Sequence, residues 1–203
     1  MTVETFKTTS KVQAQPGEKT WPPQGRWTYD DYQQLPDDGW RYEVIEGVLH
    51  MNPAPRPKHQ QAIFVIAGRL WEHLQGEPVG QAFTAPIDVI LPGLANPVQP
   101  DLLFITAARL EIVKETFIEG APDLVIEVLS PGNWLDDRRT KFRVYALAGV
   151  REYWIVDVDR RQIEVFELQG QNYTQVGRYT ASEQVNSAVV QGFSVAVDEV
   201  CPA

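Results

Sequence analysis

The sequence predicts an α/β fold, a mixed β-sheet core flanked by α-helices with additional β-hairpins. Three observations predict it. Apolar residues Ile63, Ile66, Leu70 and Leu74 recur at intervals of three and four, the stripe of an amphipathic helix over Lys58 to Leu74. The run from Leu124 to Leu129 is almost continuously apolar, the pattern of a strand covered on both faces. After a stretch of helical composition from Asn133 to Ala148, closed by Gly149, the segment REYWIVDVDRRQIEVFEL reads as strand, turn around Asp157 to Arg161, and strand.

The other elements follow in order. Residues 1–26 are rich in Thr, Lys, Gln, Pro and Gly without apolar periodicity and read as a mobile tail; residues 27–203 read as one domain. Thr28 and Asp31 resemble a capping box that starts a short helix running to Leu35, where Pro36 stops it. RYEVIEGVLHMN carries two apolar runs around Glu46-Gly47, a hairpin with its turn at the glycine and Glu43 on its first arm. Phe83 to Leu91 and Asp101 to Ile105 read as two strands joined by the turn-rich loop PGLANPVQP. From Tyr173 to Val200 one or two edge strands are expected.

Composition excludes several classes of chemistry. The single cysteine, Cys201, permits neither a disulfide framework nor a cysteine zinc cluster, and a cytoplasmic setting is expected. There is no signal-peptide pattern and no uninterrupted apolar run that would cross a bilayer, so no membrane association is expected. Three histidines, no Gly-x-Ser-x-Gly elbow, no phosphate-cradling glycine loop and no HExxH pattern argue against the common hydrolase motifs. The net charge of −9 opposes a surface that grips nucleic acid throughout, although carboxylates gathered around a metal site would contribute to it.

The residue that carries most information is Glu127, because an ionised carboxylate in a buried apolar strand costs several kcal/mol or more unless compensated. A metal ion, a buried ion pair with arginine, or a protonated and hydrogen-bonded side chain would each compensate it. Period-two geometry puts Asp123, Val125, Glu127 and Leu129 on one face, which lets Asp123 approach only from a strand end; it reads better as a turn residue. Asp101 enters its strand in a Pro-Asp context that suits a loop aspartate equally well. On the following helix Asp137, Lys141 and Tyr145 recur at intervals of four and share a face, so Lys141 either points inward or belongs to a solvated basic face, where it would pair with Asp137. Taken together, two hard oxygen ligands able to hold Mg²⁺ and a nearby ammonium suit phosphodiester hydrolysis.

Four ordered blocks, RYEVIEGVLHMNPAPRPKHQ, VQPDLLFI, APDLVIEVLSPGN and DDRRTKFRVYALAGVREYWIVDVDRRQIEVFEL, resemble the Uma-two family of restriction-endonuclease-like proteins, in the PD-(D/E)xK nuclease superfamily, over roughly residues 27–168. The resemblance implies a restriction-endonuclease-like core and a metal-dependent endonuclease acting on DNA. By it, Asp101 and Glu127 are metal ligands for Mg²⁺ or Mn²⁺, and Glu43 is a further acidic ligand. Leu129 stands where the superfamily pattern has its lysine, and Lys141, on the following helix, takes that place as the assisting residue. Tyr145 and His59 match secondary positions, a recurrent helix aromatic and a histidine of the opening motif. Leu129 and the acidic charge also favour the competing reading, a non-catalytic binding or assembly protein on the same fold. A homodimer through the edge strands after Arg151 would suit cutting of both DNA strands.

Overall fold

A computed structural model describes residues 20–130 and 134–202, with the side chains of residues 134–138 excepted. Most of the expected tail, and the Asp137 side chain expected to share the Lys141 face, lie outside the described residues.

Thr28 caps α1 (Tyr29–Tyr32) through a reciprocal bond with Asp31, as its spacing predicts, and the helix gives way to turns before Pro36. Strands β1 (Arg41–Ile45) and β2 (Val48–Asn52) form a two-residue hairpin. Its turn has φ of +51° at Glu46 and +73° at Gly47, and a Cβ on Gly47 would come within 2.6 Å of the Gly25 carbonyl oxygen. The amphipathic helix is α2 (Pro57–Gly76), with Pro57 in its first turn.

The segment expected as one strand from Phe83 to Leu91 is two: β3 (Gly80–Thr84) and β4 (Val89–Leu91) enter different sheets. Pro86 lies between them and has no N–H to continue a ladder. The turn-rich loop after Leu91 holds a further strand, β5 (Ala95–Val98), paired with β4. Next come β6 (Leu102–Thr106), a 3-10 segment (Ala107–Ile112), β7 (Ile118–Glu119), β8 (Leu124–Val128) and α3 (Trp134–Ala148). The chain closes with β9 (Glu152–Asp157), β10 (Gln162–Gln169), β11 (Asn172–Thr180), β12 (Gln184–Asn186), β13 (Ser194–Ala196) and α4 (Val197–Val200).

The larger sheet has the order β11-β10-β9-β8-β6-β3 and the smaller one β2-β1-β5-β4-β7, while β12 and β13 form a separate ribbon. Among the described residues only β8 and β9 run parallel in the larger sheet, and α3 makes the crossover between them. Of the expected edge strands, β11 does lie at an edge; β12 and β13 instead leave the sheet.

Alternation along the central strands divides the core in two. Leu102, Phe104, Leu124, Ile126, Trp154 and Val156 face α2, α4 and the β12–β13 ribbon. Leu103, Ile105, Val125, Tyr153 and Ile155 face α3 and the inner side of the smaller sheet, meeting Val144, Ile45, Leu91 and Val98. Each such side chain contributes about 1.5–3 kcal/mol on full burial, so both faces of the larger sheet are strongly committed. Glu127 has the parity of Val125 and therefore points into the second layer, between the sheets.

Candidate active site

Four elements deliver charged side chains into that layer. Strand β8 supplies Glu127, and the residue entering β6 supplies Asp101 on the parity of Leu103 and Ile105. Strand β1 lies in the smaller sheet, and its Arg41 and Glu43 share the face of Ile45, which packs against the larger sheet. Helix α3 adds Lys141 and Tyr145 one turn apart. Glu43, Asp101, Glu127 and Lys141 are all at most 8% exposed.

Lys141 Nζ lies 3.0 Å from Glu43 Oε1 and 3.2 Å from Glu127 Oε1. The Tyr145 hydroxyl donates to the same Glu127 oxygen at 2.8 Å. Glu43 is held further by the backbone N–H of Gln99 at 2.7 Å on Oε1 and by Asn52 Nδ2 at 2.7 Å on Oε2. Asp101 Oδ1 accepts from Arg41 Nη1 at 3.2 Å, while Oδ2 meets His59 Nε2 at 3.0 Å and accepts the Val128 N–H at 2.9 Å. The pairing of β6 with β8 stops at Leu102 and Ile126, so the Val128 amide takes the Asp101 carboxylate instead of a strand partner.

The electrostatics are unbalanced. Three carboxylates face two fixed cations, Lys141 and Arg41. Glu127 carries the strain: burial first, then repulsion from Asp101 and Glu43, pushes its pKa up to about 8 against the pull of Lys141. Burial also acts to raise Asp101, but the His59 hydrogen bond and the charges around it, Arg41 among them, hold that carboxyl at about 2. Tyr145 is raised well above its ordinary value by burial and by the nearby carboxylates, so it stays a hydroxyl donor. The donor set thus suits a hard divalent cation, which would supply the missing positive charge to oxygen ligands. It is not a preformed cage, since among the described residues no three His, Cys, Asp or Glu side chains converge as metal ligands.

Asp123 lies elsewhere. It is fully buried before β8, where it accepts from the Thr106 amide and hydroxyl at 2.8 Å each and pairs with Arg109 at 2.6 Å and Arg151 at 2.9 Å. It anchors the strand end and does not reach Glu127's surroundings. Arg41, Asn52 and Gln99, which bond the carboxylates of the cluster, escaped sequence reasoning. Arg41 carried a signal, its position two residues before Glu43 on one strand face. Gln99 carried none, because its contribution is a backbone amide.

The model of the Uma2 family, described as "Putative restriction endonuclease", matches residues 29–198. The chain belongs to the Uma2 family. The likeness extends to the fold of a protein from Anabaena variabilis, described as "a putative nuclease belonging to DUF820", with a TM-score of 0.69 and 19% identity over 85% of this chain and 96% of that one. At that identity the neighbour speaks for the Uma2 fold and not for its chemistry. No curated protein matches the sequence. Among the described residues of this Uma2 protein, no helix is long and apolar enough to cross a membrane.

Proposed function

We propose that this protein is a metal-dependent endonuclease that hydrolyses DNA phosphodiester bonds at the cluster of Glu43, Asp101, Glu127 and Lys141, with residues 27–203 acting as one unit. The observation that carries the reading is the charge imbalance: three buried carboxylates face two cations, Lys141 and Arg41, and Glu127 stays short of a full counter-charge. Membership of Uma2 supports the nuclease class.

Asp101, Glu127 and Glu43 would hold Mg²⁺ or Mn²⁺, which supplies Lewis acidity toward a phosphate oxygen and toward a bound water. Arg41 and His59 hold the Asp101 carboxylate from two sides and Tyr145 holds that of Glu127, and the three acids would converge only on binding the ion. The Lys141 ammonium neutralises charge that develops on the phosphoryl oxygens. Its stem reaches in from α3, which does for this site what a lysine at position 129 would do from the strand. Leu129 has no such group.

The test is incubation of the parent, Glu127→Gln and Asp101→Asn with supercoiled and linear DNA in Mg²⁺ and in Mn²⁺. Cleavage by the parent alone is expected; a parent that binds metal yet cuts neither substrate refutes the enzymatic reading. One observation favours the second reading, a non-catalytic binding or assembly protein: Lys141 already bridges Glu43 and Glu127 and competes with a metal for the same oxygens. Under that reading Mn²⁺ binds to neither parent nor variants.

A further inference from the structure

Helix α2 buries His59, Ile63, Ile66 and Leu70 against the larger sheet and leaves its opposite face bare. That face carries Phe64, 74% exposed, and Trp71, 65% exposed, two of the largest apolar side chains of the protein in water. Seven residues apart, they lie within about 20° of each other around the helix axis. Gly68 sits between them, with open space where a Cβ would stand. Gln60 and Gln75 extend the same stripe to about four turns, and no charged side chain interrupts it although the chain carries a net −9.

We propose that this face of α2 is the interface between two copies of the chain, the helices packed antiparallel about a two-fold axis passing between Ala67 and Gly68. The stripe is self-complementary. An axis there sets Phe64 of each copy against Trp71 of the other, and the same operation necessarily sets Gln60 against Gln75. The missing side chain at Gly68 lets the two backbones approach at the crossing. Four aromatics buried in this way cover on the order of 600 Å², about half of what a stable interface requires. The glutamines and helix ends along the rest of the stripe supply the remainder. The inference concerns a surface away from the carboxylate cluster and stands whether or not that cluster cuts DNA.

Sedimentation of the full chain at micromolar concentrations tests it. The parent is expected at about twice the 23.0 kDa chain mass, and Gly68→Glu at 23.0 kDa, because two glutamates would meet at the axis. The open space at Gly68 lets the single chain accept this change, and an unaltered far-ultraviolet circular-dichroism spectrum at 25 °C verifies it. Phe64→Ser with Trp71→Ser should likewise yield the single-chain mass, while Val176→Lys on the β11 edge should leave the dimer intact. A parent at 23.0 kDa throughout overturns the proposal and leaves the face to a different protein or to nucleic acid. A dimer that survives Gly68→Glu and the double substitution overturns it as well, and one lost only in Val176→Lys moves the interface to the sheet edge.

Discussion

Replacing Lys141 by Met removes the ammonium from between two carboxylates while keeping most of the side-chain volume. Glu43 and Glu127 lie 3.0 and 3.2 Å from that nitrogen and are at most 8% exposed, so water screens little of the loss. Removing one partner of a buried pair costs about 3–5 kcal/mol. For a chain of this size that lowers Tm by roughly 6–20 °C. The cost depends on pH in a definite direction. A carboxyl whose pKa rises from 4.5 to about 8 on folding binds its proton more tightly in the native state, so its contribution weakens the fold as pH climbs through that interval. Below it Glu127 is neutral and needs Lys141 less; above it the loss is felt in full. Urea unfolding followed by tryptophan fluorescence at both ends of the interval measures the difference. Above that interval, adding Glu127→Gln to Lys141→Met should recover the part of the loss due to Glu127 but not that due to Glu43, and Mn²⁺ should stabilise Lys141→Met more than the parent, because the ion inherits the vacated oxygens. A loss under about 1 kcal/mol that ignores pH and the second substitution would refute the assignment of Lys141 as the counter-charge of this cluster.

Two further outcomes follow from the same geometry. Mn²⁺ affinity in the parent should rise about tenfold per pH unit up to about 8, where Glu127 becomes ionised, and then level off; Glu127→Gln should abolish that rise, which calorimetric titration across the range will read. Asp123→Asn should cost about 1–3 kcal/mol in urea unfolding, held down because Arg109 and Arg151 are partly solvated, and should leave Mn²⁺ binding and any DNA cleavage unchanged.

Pattern alone placed the elements that carry the candidate site. The interval of three and four drew α2, the unbroken apolar run drew β8, and the step of four from Lys141 to Tyr145 put both on one face of α3, where both meet Glu127. These are local properties, set by where a helix or strand must place its apolar side chains. Motif resemblance added Glu43 and Asp101, which the sequence does not relate to Glu127 by any spacing. Where local pattern misled, a proline or a partner was responsible. The run from Phe83 to Leu91 looks like one strand until Pro86 divides it between two sheets, and PGLANPVQP looks like a loop until β4 offers it a ladder.

What only the tertiary structure decided is how the charges share their oxygens. The ladder between β6 and β8 ends one step early, and the amide it frees at Val128 turns Asp101 toward Arg41 and His59. The smaller sheet laid over the larger one carries Glu43 to Lys141 across 98 residues of chain, and the same superposition traps Glu127 in the low-dielectric layer that raises its pKa. Sequence determines which residues are ionisable and which face of an element they occupy. Burial and charge partners come from segments far apart in the chain, and these set the protonation state and free oxygens of each carboxylate.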